Sequence, residues 1–298
     1  MKSYLQKTKQ MLGTSSLPPG RESPLGPSIR ITKRDGANSI GQALTIIFNK
    51  SLIDVEVPLD WKLANVVPVF KKGDRETIEN YKPISLTSIV SRIMEKLIKH
   101  KLVEFLDKYK LILKSQHGFT NRRSCLTNLL EYLEYVTDII DQGDSADVIY
   151  LDFSKAFDKV SHSGLLKKLW KIGVRDKLLK WLGNWLVGRK QRVVLNGAES
   201  DWVDVTGGAP QGSVLGPLLF IIYANDLELG VNCRIFKFAD DSKMVVRLRN
   251  IEDNFNGQRG LERLTGWADK WDMVFNESKC KVIHMGTSNV NFSYSMNN

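Results

Sequence analysis

The stretch FKFADDSKM, Phe236 to Met244, places two adjacent aspartates between two short apolar runs. The longer segment CRIFKFADDSKMVVRL is rich in β-branched and aromatic residues on both sides of the pair, which predicts a hairpin with Asp240 and Asp241 at its turn. A third carboxylate follows a short apolar strand in ADVIYLD, which ends on Asp152. If the two strands are neighbours, the three carboxylates meet at one edge of a sheet.

Three converging carboxylates are suited to bind divalent metal ions. Magnesium prefers oxygen ligands and is typically held by one or two carboxylates together with substrate phosphates. Two such ions can activate a hydroxyl and stabilise the leaving oxygen of an in-line phosphoryl displacement. Carboxylates packed this closely repel each other unless a cation compensates them. Taken alone, however, an Asp-Asp pair is most simply a polar turn, and Asp152 is most simply a helix cap.

The remaining pattern predicts an α+β protein built on an antiparallel sheet. Helical spacing begins near Gly41 and recurs over Ile89–Tyr109, Thr127–Asp141, Ser163–Ile172, Lys177–Leu186, Leu218–Leu227 and 252–272. Strands are predicted in ANVVPVF, where Pro68 suggests a sheet edge, and in YKPISLTS, and a hairpin is predicted to turn near Asn196-Gly197. The predicted core side chains include Ile93, Leu97, Leu102, Phe105, Leu106, Trp170, Trp181 and Trp185.

The chain carries a formal net charge of +10, which favours a polyanionic partner such as nucleic acid. Residues 1–35 hold seven Lys or Arg against two acidic residues and account for +5 of that charge. The rest of the chain is therefore only mildly basic. Residues 1–38, with the segment LPPGRESPLGPS, have little to bury and are predicted to be a disordered leader.

The cysteine and apolar patterns predict an intracellular location, either nucleus or cytoplasm. The three cysteines are widely spaced and form no CxxC pair, which is typical of a reduced compartment. The longest apolar run, Val214 to Ala224, is interrupted by Gly216 and Pro217 and is shorter than the roughly 20 residues that cross a bilayer. No membrane association is expected.

An ordered set of segments resembles the reverse transcriptases of non-LTR (LINE) retrotransposons, of the jockey-like and chicken-repeat-like kind. LDFSKAFDKV is similar to the first catalytic motif of that family, APQGSVLGPLLFIIYANDL to the second, and FADD to the third. The segment WADKWDMVFNESKCKVIHMG resembles the region that follows. Upstream, DWKLANVVPVFKKGDRETIENYKPISLTSIVSRIMEKLI and SQHGFTNRRSCLTNLLEYLE resemble the fingers. The match runs in order from about Leu59 to Gly286.

The resemblance implies a metal site and a sugar-recognition position. Asp152, Asp240 and Asp241, assisted by the backbone of Phe153, would bind two Mg²⁺ ions, with Mn²⁺ as an alternative. Phe157 matches the bulky position that excludes a ribose 2′-hydroxyl and so favours deoxynucleotides. The alternative for Phe157 is plain core packing.

Further positions are implied to bind the nucleotide. Gln211 and Gly212 match the nucleotide pocket, although PQGS alone is most simply a turn that starts a helix. Three lysines match basic positions that hold the triphosphate, although KKGD alone is most simply a solvated turn: Lys71, Lys72 and Lys82. Lys279 matches a proton donor for departing pyrophosphate, and the segment 284–286 matches the primer grip.

The sequence departs from the family in a few places. Lys82 stands where the family has arginine, which keeps the charge but loses the bidentate fork. The FADDT of the family is FADDS, with Ser242, and a GR pair near QHGF is replaced by 121–123. None of these changes removes a carboxylate.

The resemblance implies a right-hand polymerase fold with an antiparallel palm sheet packed on helices. Fingers are predicted over 39–145, the palm over 146–286 and a disordered tail over 287–298, so that most of the thumb is missing. The expected activity is RNA-directed DNA polymerisation, with an RNA template, a DNA primer or target, dNTPs and the endonuclease domain of an intact element as partners. The alternative is a truncated, inactive remnant that retains nucleic-acid binding. A two-carboxylate phosphohydrolase is disfavoured, because it leaves PQG and the lysines without a purpose.

Overall fold

A computed structural model of the chain describes residues 38–296. The helices are α1 (Asn38–Asp54), α2 (Leu59–Lys62), α3 (Ile89–Lys108), α4 (Cys125–Asp141), α5 (His162–Ile172), α6 (Asp176–Leu186), α7 (Gly216–Tyr223) and α8 (Ile251–Lys270). The strands are β1 (Leu63–Phe70), β2 (Tyr81–Thr87), β3 (Ser145–Leu151), β4 (Arg189–Leu195), β5 (Ala198–Glu199), β6 (Val203–Val205), β7 (Arg234–Phe238), β8 (Asp241–Leu248) and β9 (Lys281–Met285). The predicted leader lies outside the described residues, except that residue 38 begins α1. No helix within 38–296 is long and apolar enough to cross a membrane.

The described residues form two compact units, each built from two segments of the chain. The first unit contains 38–111 and 161–219, and the second contains 112–160 and 220–296. The division of the chain into fingers and palm at residue 145 remains a prediction about function.

The first unit has a mixed sheet with strand order β2-β1-β4-β5, in which β6 also pairs with β4. Strand β1 pairs with β2 in the antiparallel sense along its length. It also pairs with β4, in the parallel sense and only over Leu63–Val66. Pro68 lies beyond that parallel stretch and pairs only with Pro83 on β2. The predicted edge position is wrong for the strand, because β1 lies between β2 and β4, but Pro68 is tolerated since no ladder on its other side needs a donor there.

The predicted hairpin in the first unit is confirmed. Leu195 pairs with Ala198, so the loop between β4 and β5 has two residues. Asn196 and Gly197 have φ values of 50° and 83°. Positive φ at both loop positions is the requirement of a type I′ turn, which Asn-Gly meets at low cost.

The second unit has the predicted antiparallel sheet, in the order β7-β8-β3-β9. Its strands are antiparallel to their neighbours throughout. One face packs against α4 in an apolar core: Tyr132, Val136, Ile139, Ala146, Val148, Phe236 and Val245. Helix α8 packs against β8. The strand β3 lies between β8 and β9 and is buried along most of its length.

Two predictions about buried side chains need correction. On α3, Leu102, Phe105 and Leu106 are buried as predicted, but Ile93 is 37% exposed and the stripe continues through Met94 and Ile98 instead. Trp181 and Trp185 are fully buried. Trp170 is 42% exposed, and the guanidinium of Arg175 lies 4.2 Å from its ring centroid. A cation over the ring face stabilises this exposed tryptophan without burying it.

The segment predicted to be a disordered tail is packed in the structure as far as it is described. The ring of Phe292 lies 5.6 Å from that of Phe255 on α8. The hydroxyl of Tyr294 donates to Asp147 at 2.8 Å, and the amide nitrogen of Ser295 donates to Gln258 at 3.1 Å. These contacts fix residues 287–296 against the second unit.

Candidate active site

The three aspartates lie at the same end of the second unit's sheet. The last pair between β3 and β8 is Leu151 with Ser242, so Asp152 leaves β3 beside the start of β8 at Asp241. Phe238 pairs with Asp241 and closes the β7–β8 hairpin, which leaves Ala239 and Asp240 as its turn. The hairpin and the strand end are therefore confirmed, with one correction: Asp241 begins β8 and lies beside the turn, not within it.

The electrostatics of this sheet end reflect the crowding of negative charge. The pKa of Asp241 is raised, first by its burial and then by the charges of Asp240 and Asp152. Lys243 and Lys279 act in the opposite direction on the same pKa. The fold therefore holds Asp241 in a place where its charged form is disfavoured, as a cation-binding carboxylate would be.

A lysine pairs with the first aspartate. Lys279 Nζ lies 3.0 Å from Asp152 Oδ2, with the lysine side chain 58% and the aspartate side chain 28% exposed. The chain before Lys279 follows the residues after β3 closely, because Asn276 donates its N–H to the carbonyl oxygen of Asp152 at 2.8 Å. This backbone bond fixes the lysine beside the aspartate.

The aspartates offer the ligand type that a divalent metal ion requires, but not yet the arrangement. Within 38–296, no group of three or more His, Cys, Asp or Glu side chains is arranged to hold a metal ion in the present side-chain positions. Asp152 is instead paired with Lys279. The donor set itself fits a hard divalent cation, since Asp152, Asp240 and Asp241 offer only carboxylate oxygens and repel each other without one.

The two phenylalanines after Asp152 are packed differently. Phe153 is buried and stacks on Phe275 at 4.4 Å. Phe157 is half-buried and stacks on Phe220 with 4.7 Å between ring centroids and 22° between ring planes. The alternative of core packing thus holds for part of the Phe157 ring, while the rest of the ring is open to solvent.

The remaining predicted nucleotide-binding residues belong to the first unit. Gly212 has a φ of 105°, and a Cβ on it would lie 2.4 Å from the carbonyl oxygen of Ser85 on β2. The N–H of Ser85 donates to the carbonyl oxygen of Gln211 at 2.8 Å. The PQG turn is therefore fastened to β2. Three lysines on or next to the strands of this unit are exposed: Lys71, Lys72 and Lys82.

A buried carboxylate in the second unit was missed by the sequence analysis. Asp147, at the middle of β3, is fully buried and accepts hydrogen bonds from His284 Nδ1 at 2.7 Å, Asn289 Nδ2 at 2.7 Å and Tyr294 Oη at 2.8 Å. Burial is the first cause of a raised pKa at Tyr294. The network ties the predicted primer-grip segment 284–286 to the strand that carries Asp152. The one sequence signal was an acidic residue inside an apolar strand.

Comparisons with known proteins identify the family of the chain. The family described as reverse transcriptase (RNA-dependent DNA polymerase) matches residues 69–294. The RNA-directed DNA polymerase from mobile element jockey of Drosophila melanogaster is 31% identical over 250 residues, which cover 80% of this chain and 27% of that protein. The probable RNA-directed DNA polymerase from transposon X-element of the same species is 31% identical over 244 residues, covering 79% of this chain and 27% of that protein.

The fold is also similar to that of a solved structure. The structure of apo telomerase from Candida tropicalis, truncated from its C-terminal domain, superposes with a TM-score of 0.57 at 12% identity, covering 78% of this chain and 53% of that one. The likeness shows a right-hand polymerase fold. This chain spans 27% of the length of the jockey and X-element proteins. It belongs to the reverse transcriptase family, and its relatives are the RNA-directed DNA polymerases of non-LTR retrotransposons.

Proposed function

We propose that this chain is the polymerase part of a non-LTR retrotransposon protein and extends a DNA primer on an RNA template with dNTPs. The observation that carries the proposal is the position of Asp152, Asp240 and Asp241 at one sheet end, where burial first and then the charges of the other two carboxylates raise the pKa of Asp241. Family membership and the names of the relatives support the choice of reaction. Nicked target DNA would supply the primer, and an endonuclease domain would belong to the intact element.

The three aspartates and the backbone of Phe153 would hold two Mg²⁺ ions, with Mn²⁺ as an alternative. When bound, such ions activate the primer 3′-hydroxyl and stabilise the leaving oxygen of the α-phosphate. Reverse transcriptases as a family use divalent metal ions. Asp152 would exchange its contact with Lys279 for the metal, and the freed ammonium would hold a proton at Nζ for the departing pyrophosphate.

The other predicted residues would orient the nucleotide. The solvent-facing part of the Phe157 ring would meet the sugar and exclude a 2′-hydroxyl, while Phe220 supports the ring from behind. Gly212 would let the backbone approach the base pair, since it lacks a Cβ. The exposed ammonium groups of Lys71, Lys72 and Lys82 would pair with the triphosphate, because lysine binds phosphate as a point charge.

Primer extension on poly(rA)/oligo(dT) with Mg²⁺ tests the proposal. We expect the unmodified chain to extend the primer, and the double variant Asp240→Asn/Asp241→Asn to lose about 100-fold or more of that rate. Asp269→Asn on α8 is the matched control, because it removes one exposed carboxylate of the same unit. Equal extension by the double variant and the unmodified chain would refute the assignment. Binding of nucleic acid without extension would instead support an inactive remnant, and template-free release of phosphate would support a phosphohydrolase.

A further inference from the structure

We infer that Gln116 is a positioning residue that fixes the turn formed by Ala239 and Asp240, next to Asp241. The geometric part of this inference concerns the turn alone, and its consequence for metal binding rests on the proposed function. Gln116 belongs to the QHGF segment, to which the sequence analysis gave no role. The residues involved all belong to the second unit.

Both backbone polar groups of Ala239 contact the side chain of Gln116. Gln116 is fully buried. Its Oε1 accepts hydrogen bonds from the N–H of Ala239 at 2.9 Å and from the N–H of Gly118 at 2.7 Å. Its Nε2 donates to the carbonyl oxygen of Ala239 at 3.4 Å. One amide side chain thus holds the residue that immediately precedes Asp240.

Ala239 needs such a partner for two reasons. It has a φ of 56°, in the left-handed region that residues with a Cβ adopt at a cost. It is also 7% exposed and lies beyond the last ladder pair of the hairpin, Phe238 with Asp241. A buried N–H without an acceptor is unfavourable, so the amide oxygen of Gln116 stabilises this turn conformation over others.

The segment that carries Gln116 is itself firmly placed along β7. The N–H of Lys237 donates to the carbonyl oxygen of Ser115 at 2.8 Å, and the N–H of His117 donates to the carbonyl oxygen of Lys237 at 2.8 Å. Arg123 Nη1 donates to the carbonyl oxygen of Gln116 at 3.0 Å. The segment therefore extends the sheet beside β7, and Gln116 is preorganised.

Two bonds from His117 to α4 add to this placement. The His117 ring is 4% exposed, and its Nδ1 and Nε2 lie 3.0 Å from Thr127 Oγ1 and 3.0 Å from Glu131 Oε2. Because α4 packs on the core face of the sheet, these bonds tie the segment to the apolar core of the unit. Gln116 therefore connects the turn to a segment that is itself held by the core.

Gly118 also lies close to the backbone of Ala239. A Cβ on Gly118 would lie 2.3 Å from the backbone nitrogen of Ala239 and 2.9 Å from its Cα. Only glycine allows the loop to come this close. The spacing Q-x-G thus has a physical meaning: the first residue holds the backbone of Ala239, and the third makes room for it.

The test uses Gln116→Met, which keeps the length of the side chain and removes its hydrogen bonds. Gly118→Ala displaces the turn without removing any polar group, so it serves as an independent second variant. The matched controls are Gln142→Met at an exposed position and Gly266→Ala, where an added Cβ meets nothing within 4 Å. Hydrogen exchange of the peptide covering 236–243 is the first measurement, because it needs neither metal nor nucleotide.

We expect the Ala239 amide of the unmodified chain to exchange slowly although it lies in a turn, and to exchange about tenfold faster in both variants. Controls should match the unmodified chain. The inference is overturned if the Ala239 amide of the unmodified chain exchanges at the rate of an exposed turn. It is also overturned if a folded variant exchanges this amide at the same rate as the unmodified chain.

The second measurement is Mn²⁺ binding followed by electron paramagnetic resonance, with Asp240→Asn as the reference for a damaged site. Both positioning variants should raise the dissociation constant about tenfold, as outer-shell partners of metal ligands do. Their primer extension should lose kcat while the KM for primer–template is unchanged. Wild-type Mn²⁺ affinity in both variants overturns the positioning role while leaving the proposed function intact. Failure of the unmodified chain to extend a primer contradicts the proposed function alone, because hydrogen exchange still reports on the turn.

Discussion

At the scale of single residues, Asp241 is a carboxylate whose surroundings oppose folding at neutral pH. Its charged form is disfavoured by burial and by two neighbouring carboxylates, so its pKa in the folded chain lies above that in the unfolded chain. An acid with a raised folded pKa destabilises the fold above that pKa, and the destabilisation disappears below the unfolded pKa of about 3.9. Because Asp241 is exposed to solvent in spite of its neighbours, water screens these charges and the effect is small.

Asp241→Asn should therefore stabilise the protein at neutral pH in the absence of divalent ions. We expect a melting temperature about 1–2 °C higher at pH 7.5, for a gain of about 0.5 kcal/mol, and no difference near pH 3. Thermal melts of both proteins at the two pH values measure this. Asp269→Asn should show no such gain, and a lower melting temperature of Asp241→Asn at pH 7.5 would contradict the electrostatic argument.

Phe157 stacks on Phe220 and is also proposed to contact the sugar of the nucleotide. A substitution at Phe157 therefore affects both packing and sugar selection, and the two effects have to be measured separately. Phe157→Val should raise incorporation of ribonucleotides relative to deoxyribonucleotides about 10- to 100-fold, the usual range for shape discrimination by an apolar contact. Competitive primer extension with rNTP and dNTP measures the ratio.

Phe220→Leu is the control for Phe157, because it removes the same stack from the buried side. Both variants should melt at lower temperature, since each loses an aromatic pair. Only Phe157→Val should change sugar selection. An equal change in both variants would assign the effect to packing.

At the scale of elements, the PQG turn depends on its attachment to β2. Ser85 bonds to Gln211, and Gly212 adopts a left-handed φ against the Ser85 carbonyl oxygen. A side chain at this position is strained both by the backbone angle and by the close oxygen. The turn can approach the strand only with glycine there.

Gly212→Ala is expected to destabilise the protein by about 2–4 kcal/mol. Urea unfolding of the variant and of the unmodified chain measures this loss of stability from the midpoint and the slope of each transition. Gly41→Ala, inside α1 where an added Cβ meets nothing within 4 Å, should instead stabilise by about 0.5–1 kcal/mol. A neutral Gly212→Ala would show that the PQG turn is free to move away from β2.

Elements were predictable from the sequence where the signal is local. The hairpin around Asp240, the Asn196-Gly197 turn and the helix over α4 follow from turn chemistry and periodicity within a few residues. The parallel pairing of β1 with β4 was not predictable, since Leu63 and Lys190 are far apart in the chain and share no local signal.

The placement of the carboxylates on the sheet followed from the local pattern, whereas the placement of their supporting residues did not. Asp152 follows a recognisable strand and Asp241 begins one, but their assignment to one site rested on the family resemblance and stays a prediction. The bonds of Gln116 to Ala239 and of Asp147 to His284 join residues distant in sequence, and a lone polar residue gives no hint of its partner. Ile93 was misplaced because α3 has apolar residues on more than one face.

At the scale of the whole molecule, the basic charge sets how binding to nucleic acid should respond to salt. Each phosphate contact by Lys or Arg releases counterions, so affinity falls as salt rises. Much of the net charge of +10 comes from residues 1–35, so net charge alone does not locate the binding surface.

Replacing Lys71, Lys72 and Lys82 together by alanine should reduce the slope of log affinity against log salt by about 2–3 for an RNA–DNA primer–template. Fluorescence anisotropy at several salt concentrations measures the slope. The control replaces Lys50, Lys96 and Lys108, three exposed lysines of the same unit, by alanine. Equal slopes for the two triple variants would show that the effect is general charge and not contact.

The second unit is built from two segments that are far apart in the chain, and this has a consequence for its synthesis on the ribosome. Strand β3 is almost entirely buried in the finished sheet, yet its partner β8 begins about 90 residues later in the chain. At translation rates of roughly 5–20 residues per second, the nascent apolar strand carrying Asp152 waits roughly 5–20 s for a partner. During that interval it can pair with other emerging chains, so chaperone binding to the nascent polypeptide should concentrate between residues 145 and 151.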